Sequence, residues 1–206
     1  MIVRAGKNQI EMEELFVIPL VNMVVQEDTS ELISNTDFIP GMRQGYQPEK
    51  INYRVLEKYP NTKNILLKYI RSSVKMMGYS SEVDVSTSWC TKVVKGDVGH
   101  LHRHKNSWFS ALYYYGDYDE NCGKFIFTNP LTDLTSFMSN VFSVNEFNRH
   151  SKTWLPRKNQ LIIFPSYIQH GVSEHLSDLI RYSLAINIVP VGTYGRSDST
   201  YDTSWY

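Results

Sequence analysis

The chain has 206 residues and balanced charge, with 21 Lys and Arg residues against 21 Asp and Glu residues. A protein that binds by neutralising phosphates, or that docks on anionic membranes through a polybasic surface, would carry an excess of basic residues. Hydrophobic residues make up 42% of the sequence, which is sufficient for a buried core. We therefore expect one domain spanning residues 1–206, with nucleic acid disfavoured as a partner.

The sequence predicts neither a membrane helix nor a signal peptide. No segment approaches the ~18 consecutive apolar residues that a membrane helix needs. The most apolar early stretch, residues 16–25, is interrupted by Pro19 and Asn22 and lacks the flanking residues of a signal peptide. The spacing of Cys90 and Cys122 matches no metal-binding motif. The sequence therefore predicts two reduced thiols, as in a cytosolic protein.

The first 82 residues mix short strands and helices that would support the rest of the fold. Residues 16–21 predict an edge strand, because Pro19 cannot donate a hydrogen bond to a neighbouring strand. Residues 26–47 are polar and rich in turn-forming residues, which predicts a loop.

One amphipathic helix is predicted to begin near Asn61 and to end near Met77. Asn61 and Thr62 can cap its first turn, and Gly78 occupies the position of a C′ glycine. Three apolar residues spaced four apart share one face of this helix: Leu66, Ile70 and Val74. That face should pack on a sheet.

Segments rich in β-branched and aromatic residues recur from Val83 onward. They predict strands near residues 83–94, 99–104, 107–115, 123–129, 159–165, 170–174 and 180–190. Short strands without helices between them are typical of an antiparallel sandwich or jelly roll. We expect a mainly β protein with its core in residues 83–190 and N-terminal helices over one outer face.

Two segments fall outside this strand pattern. Residues 131–156 form an unusually long connection that contains many apolar residues, which predicts a lid or binding loop. The tail, residues 191–206, is rich in Ser, Thr and Asp but contains Tyr201, Trp205 and Tyr206. It is either loose or folded back over a pocket, and its aromatic residues would suit a homodimer.

Three of the six histidines, His100, His102 and His104, alternate along one predicted strand. Side chains in a strand alternate with a period of two, so these three should point to one face. Imidazoles placed in this way can bind one metal ion, such as iron, zinc, copper or nickel. The alternative is a polar loop with solvated histidines.

A further metal ligand would have to come from a neighbouring strand. His170 is the best candidate, because it begins a predicted strand after an apolar run. His150 lies in the long polar connection and His175 in a polar turn, so both are less attractive. By itself, His170 is equally compatible with a hydrogen-bonded structural histidine.

Arg181 is an unusual residue in a strongly apolar strand, residues 180–186. It shares one face with Ser183 and Ala185. A buried arginine is costly unless it is paired, and its planar guanidinium matches a carboxylate in a bidentate manner. Its partner is either an acidic side chain of the protein or the carboxylate of a ligand.

Several motifs in fixed order make the chain resemble a known family. They are residues 88–89, 102–107, 110–114, 123–130 and 161–166, followed by His170, Arg181, Ser183 and Asn187. Together they resemble the 2-oxoglutarate/Fe(II)-dependent oxygenase superfamily over roughly residues 54–190. More narrowly, the chain is similar to the small 2OG-Fe(II) oxygenases of bacteria and tailed phages.

The resemblance implies a double-stranded β-helix, which is a jelly roll of cupin-like form, with Fe(II) in its mouth. The positions that match the family's metal ligands are His102, His104 and His170. His104 stands where the wider superfamily has an aspartate. His100 is a competing first ligand.

The resemblance also implies 2-oxoglutarate as cosubstrate. Arg181 matches the arginine that grips its far carboxylate, and Ser183 matches the serine two residues later. Tyr114 matches a tyrosine that completes this site, whereas Tyr113 and Tyr115 would point to the opposite face of a regular strand.

The implied activity is that of an Fe(II)- and 2-oxoglutarate-dependent dioxygenase of the hydroxylase type. It would consume O₂, release succinate and CO₂, and hydroxylate a substrate that the sequence does not identify. Two alternatives remain open. One is a cupin-like metal- or sugar-binding module without 2-oxoglutarate turnover, which the histidine at position 104 supports, and the other is a structural jelly-roll protein. A cytoplasmic location, in a bacterium or a phage-infected cell, is expected.

Overall fold

Strands dominate the computed structural model, which describes residues 2–5, 8–11, 16–32, 38–40, 52–131 and 140–205. The strands in this part of the chain are β1 (Ile2–Ala5), β2 (Asn8–Glu11), β3 (Val21–Val24), β4 (Phe38–Pro40), β5 (Glu82–Val93), β6 (Gly99–His102), β7 (Phe109–Tyr114), β8 (Phe125–Thr128), β9 (Ser151–Trp154), β10 (Gln160–Pro165), β11 (His170–Val172), β12 (Arg181–Val191), β13 (Thr193–Tyr194) and β14 (Tyr201–Asp202). One α-helix is described, α1 (Pro60–Met76).

Two sheets packed face to face make up the centre of the molecule. The larger has six strands in the order β3–β10–β7–β12–β5–β4, and the smaller has four in the order β6–β11–β8–β9. Pairing is antiparallel except between β4 and β5. This arrangement is the jelly roll that the sequence predicted.

Each long strand of the larger sheet divides its side chains between two hydrophobic clusters. On β7, Tyr113 lies in an outer cluster with α1, whereas Leu112 lies in an inner cluster with Phe125 of the smaller sheet. On β12, Leu184 faces outward and Ala185 inward. The outer face therefore carries the main core, and the inner face is available for a site between the sheets.

Helix α1 covers the outer face of the larger sheet, as its apolar spacing predicted. Leu66, Ile70 and Val74 are fully buried there, and burial of each side chain contributes roughly 1.5–3 kcal/mol. Gly78 has a φ of +88°, which confirms the predicted C′ glycine, since this left-handed conformation suits glycine best. The described part of the chain contains no helix with the length and apolar character needed to cross a membrane.

The start of the helix differs from the prediction. The helix begins at Pro60, and its N-cap residue, Tyr59, makes no capping hydrogen bond through its side chain. Thr62 is not a cap. Instead, its backbone N–H donates to the Glu31 carboxylate over 2.8 Å. A negative charge from a distant segment thus satisfies the helix N-terminus, where the helix dipole favours it.

Several predicted boundaries are wrong because strand pairing, rather than local propensity, decides them. Residues 16–20 are not part of a strand, and the edge strand starts at Val21. Within the predicted loop at residues 26–47, β4 pairs in parallel with β5. Within the predicted long connection, β9 pairs with β8. In the tail, β13 and β14 form a small hairpin.

Two further predictions concern the helices and the cysteines. The sequence predicts several N-terminal helices, but the described residues before β5 contain α1 and only two short 3-10 turns, at Ser30–Leu32 and Val55–Lys58. Cys90 and Cys122 form no disulfide bond, in agreement with the prediction of reduced thiols, and both side chains are buried.

Candidate active site

Two neighbouring strands of the smaller sheet bring three histidines together. β6 and β11 pair in antiparallel fashion with His102 opposite His170. His104 follows the end of β6, and its backbone N–H donates to the Ser166 carbonyl over 3.2 Å. These are the three histidines that match the family's metal ligands.

The three imidazoles converge on a common centre. One ring nitrogen from each of His102, His104 and His170 lies within 4.8 Å of the other two. The Nε2 atoms of His102 and His104 are 3.1 Å apart. Exposure decreases across the group, since His102 is exposed, His104 is half-buried and His170 is 4% exposed. Neutral imidazoles at this separation fit Fe(II), although other divalent metals also bind such nitrogens.

Backbone carbonyls orient two of the rings. The Nδ1 atom of His102 lies 2.8 Å from the His100 carbonyl, and that of His170 lies 2.8 Å from the Ile168 carbonyl. Because a carbonyl can only accept, each Nδ1 carries the proton and each Nε2 keeps its lone pair for a metal.

The ring of His100 does not belong to this cluster, contrary to the prediction that the alternating histidines share one face. The strand pairing shows a bulge in β6. His102 pairs with His170 and Gly99 with Val172, so the paired residues are three positions apart on β6 but only two positions apart on β11. An extra residue shifts the alternation of side chains. His100 contributes its carbonyl instead. His150, in the described part of the connection after β8, is exposed and also lies outside the cluster.

Burial favours the neutral form of two of the three rings, His104 and His170. Removal from water lowers the pKa of His170 to about 3. Burial, together with the nearby His102 ring, also lowers the pKa of His104, which hydrogen-bonds to Asn187. Neutral rings are the form that binds metal.

Aromatic residues border the cluster on one side. The Trp89 indole stacks on His104 with a centroid separation of 5.4 Å and an interplanar angle of 11°. Tyr53, which is 49% exposed, packs edge-on against Trp89 at 5.8 Å. Trp89 belongs to a motif noted in the sequence, but nothing in the sequence connected Tyr53 with this site.

Arg181 lies in the interior and is only 1% exposed. Its Nε–H donates to the Gly123 carbonyl over 3.0 Å, and its Nη1–H donates to the Ser183 hydroxyl over 3.2 Å. Its Nη2–H donates to the Tyr114 hydroxyl over 3.4 Å, with the guanidinium carbon 5.2 Å from the centroid of that ring. The structure thus brings together the three residues predicted to bind 2-oxoglutarate.

No acidic side chain in the described residues forms an ion pair with Arg181. The alternative of a protein salt bridge is therefore wrong for this part of the chain. A buried guanidinium without a counter-ion is unfavourable, and two of its five N–H groups have no partner in the bonds described above. Burial raises the pKa of Tyr114, which keeps its hydroxyl protonated.

One residue in this region was missed by the sequence analysis. The Thr91 hydroxyl lies 2.6 Å from the Ser183 hydroxyl and extends the polar surface beside Arg181. A threonine is common in strands, so this residue type gave no signal. Gly123 begins a motif noted in the sequence, but the motif did not indicate that its carbonyl holds Arg181.

The arginine and the imidazoles lie on connected parts of the inner surface. Gly123 precedes Phe125 by two residues, which is about 7 Å along an extended chain. The Phe125 ring lies 5.3 Å from the His170 ring. The predicted lid also starts near this cluster, because the Thr128 N–H donates to the carbonyl of Gln169. Residues 132–139 of that segment lie outside the described residues, so its role as a lid stays a prediction.

Comparison with known proteins agrees with this geometry. A family model described as "Putative 2OG-Fe(II) oxygenase" matches residues 87–187, which include both the histidine cluster and Arg181. These 101 residues, which are 49% of the chain, are similar to 2OG-Fe(II) oxygenases. The resemblance found in the sequence is therefore confirmed, whereas no curated protein matches the chain.

Solved structures of this family share the fold at low sequence identity. SnoK, a non-heme alpha ketoglutarate dependent carbocyclase from nogalamycin biosynthesis, is 11% identical with a TM-score of 0.57, over 88% of this chain and 84% of SnoK. HygX from Streptomyces hygroscopicus, with nickel, 2-oxoglutarate and hygromycin B bound, is 12% identical with a TM-score of 0.56, over 84% of this chain and 83% of HygX.

A 2OG-Fe(II) oxygenase family oxidoreductase from Burkholderia pseudomallei is 16% identical with a TM-score of 0.50. That match covers 71% of this chain and 63% of the Burkholderia protein, so the chain spans less than two thirds of that protein. At these identities the structures establish the jelly-roll fold and nothing about the substrate.

Proposed function

We propose that this protein is an Fe(II)- and 2-oxoglutarate-dependent dioxygenase that hydroxylates an organic substrate. His102, His104 and His170 would hold the metal. Arg181, with Ser183 and Tyr114, would hold the far carboxylate of 2-oxoglutarate. Bound Fe(II) would supply the redox chemistry by which O₂ converts 2-oxoglutarate to succinate and CO₂ while one oxygen atom enters the substrate.

The observation that carries the proposal is the buried charge of Arg181, which no acidic side chain of the described residues compensates, beside a cluster of three imidazoles. A protein that only needed a stable jelly roll would have no use for this guanidinium, because its desolvation is unfavourable. A bound carboxylate would act as the counter-ion and would accept hydrogen bonds from the two remaining N–H groups of Arg181. The structural alternative leaves this arginine unexplained.

The chain's own residues would bind and orient the reactants. The Tyr114 and Ser183 hydroxyls fix the orientation of the guanidinium plane. A carboxylate would therefore bind to it from a fixed direction. The carbonyls of His100 and Ile168 keep Nε2 of His102 and His170 unprotonated. Phe125, Phe127 and Phe164 around His170 exclude water from the inner side of the cluster.

The first experiment is anaerobic addition of Fe(II) and 2-oxoglutarate to the purified protein. The proposal predicts the visible charge-transfer band of an Fe(II)–keto acid complex, with succinate formed when O₂ is admitted. His170→Ala should lose the band because metal binding is lost. Arg181→Ala should keep metal binding and weaken 2-oxoglutarate binding by about 100-fold, since charge-assisted hydrogen bonds are lost.

The alternatives predict different results in the same samples. A cupin-like metal- or sugar-binding module, which the three-histidine cluster also suits, would bind metal but give neither the band nor succinate. A structural protein would bind no stoichiometric metal by elemental analysis. Metal binding that survives the loss of both His102 and His170 would refute the proposed site.

A further inference from the structure

His175 is a buried histidine that the proposed reaction does not use. Its side chain is 0% exposed, although the sequence placed it in a polar turn. Its backbone N–H donates to the Asp97 carbonyl over 3.0 Å, and its carbonyl accepts from the Gly96 N–H over 2.8 Å. The residue therefore connects the turn between β5 and β6 with the turn between β11 and β12.

The partners of the His175 ring determine its protonation. The Gly123 backbone N–H, which can only donate, lies 3.0 Å from Nδ1. The Leu179 carbonyl, which can only accept, lies 2.7 Å from Nε2. Nδ1 must therefore be the acceptor and Nε2 must carry the proton, so both hydrogen bonds require a neutral ring in one tautomer.

The same glycine also contacts the arginine. While its N–H donates to His175, the Gly123 carbonyl accepts from Arg181 Nε–H over 3.0 Å. A single glycine thus separates the imidazole from the guanidinium. The Nε–H bond adds a third contact to those that the guanidinium makes with Ser183 and Tyr114.

Gly123 has little space in which to move. A Cβ atom at this position would lie 2.8 Å from the Ser173 carbonyl oxygen and 2.9 Å from a methyl carbon of Val172. The close approach of β11 therefore confines Gly123 on one side, and the His175 ring holds its N–H. Loss of the ring contact would leave a buried N–H without a partner and would allow Gly123, with the carbonyl that holds Arg181, to shift.

We propose that His175 is a positioning residue for 2-oxoglutarate, on which it acts through the backbone of Gly123 and through Arg181. The inference rests on the proposed function, because it assigns the arginine to the cosubstrate. It predicts that His175 controls affinity for 2-oxoglutarate without affecting affinity for the metal.

Two near-isosteric variants separate the two ring contacts. In His175→Asn, the amide oxygen can replace Nδ1 as the acceptor for Gly123, while the bond to Leu179 is lost. In His175→Gln, the amide nitrogen can replace Nε2 as the donor to Leu179, while the bond from Gly123 is lost. A purely structural role would make both variants similar in binding and different, at most, in stability.

The measurements are anaerobic titration of 2-oxoglutarate into the Fe(II)-loaded protein, Mn(II) binding by calorimetry, and thermal unfolding. His175→Gln should weaken 2-oxoglutarate binding about tenfold, the equivalent of one hydrogen bond. His175→Asn should stay within about twofold to threefold of wild type, and Mn(II) affinity should be unchanged in both. Ser177→Ala is the matched control, because the Ser177 hydroxyl holds the same turn by bonds to Asp119 and to the Leu179 N–H, and neither bond involves Gly123.

The outcomes distinguish the inference from the function on which it rests. If wild type binds 2-oxoglutarate and Arg181→Ala weakens it, but His175→Gln binds as wild type does, the positioning role is refuted alone. Equal weakening of 2-oxoglutarate binding in His175→Asn, His175→Gln and Ser177→Ala would also refute the positioning role, because it would indicate a general effect of loosening the turn. Absence of 2-oxoglutarate binding in wild type would overturn the proposed function itself.

Discussion

Acid should destabilise the metal-free protein through His170. Burial lowers the pKa of this imidazole from 6.5 to about 3. Between these values the unfolded chain takes up a proton that the folded chain excludes, so stability falls as pH falls. The contribution of the neutral His170 ring to the free energy of unfolding is fully retained above pH 6.5 and is lost progressively towards pH 3.

The size of the effect follows from the pKa difference. A shift of this size corresponds to a total loss of about 5 kcal/mol, of which about 2 kcal/mol is lost between pH 7 and pH 5. His104 adds a contribution of the same sign, because burial lowers its pKa too. Since small domains are stable by only about 5–15 kcal/mol, the loss should be easy to measure.

The assay is urea unfolding at pH 7 and pH 5 with a chelator present, so that no metal competes with protons. His170→Asn keeps a donor for the Ile168 carbonyl but does not titrate. In this variant, most of the difference in unfolding free energy between pH 7 and pH 5 should disappear. His150→Asn, at an exposed position, should retain the full difference. An unfolding free energy that is unchanged in wild type, or that falls equally in His170→Asn, would refute the reasoning.

Three further predictions follow from contacts described above. Added Mn(II) should raise the melting temperature of wild type but not of His102→Ala, measured by differential scanning fluorimetry; an equal rise in both would contradict the assignment of the ligands. Glu31→Gln should lower the free energy of unfolding by about 1 kcal/mol, because the N-terminus of α1 loses its carboxylate. Chemical denaturation measures this, and 2-oxoglutarate binding should not change. Gly123→Ala should lower stability by roughly 1–3 kcal/mol through contact with Ser173 and also weaken 2-oxoglutarate binding, whereas Gly78→Ala should lower stability alone.

The core of the fold and most of the site could be predicted because strand alternation is a local property. The inward direction of Arg181 and Ser183, and the outward direction of Leu184, follow from a period of two along β12. The same rule correctly separated Tyr114 from Tyr113. Residues that lie on regular strands were therefore predicted with their correct orientation.

The errors arise where pairing or contacts between distant segments decide the structure. A bulge in β6 removes the ring of His100 from the cluster, and no residue in that stretch signals the bulge. Glu31 replaces the predicted cap of α1 from 31 positions away. The role of His175 depends on two backbone groups from other turns, which the sequence around it does not indicate.

Among the described residues no carboxylate joins the histidine cluster, and this has a thermodynamic consequence for metal loading. Three imidazole donors would leave a bound dication with its full charge, so the dianionic cosubstrate would provide the neutralisation that an aspartate gives in related sites. Metal and keto acid should then strengthen each other's binding by the same factor, because such coupling is reciprocal. A fall in the supply of the organic acid would therefore lower the fraction of this protein that carries metal.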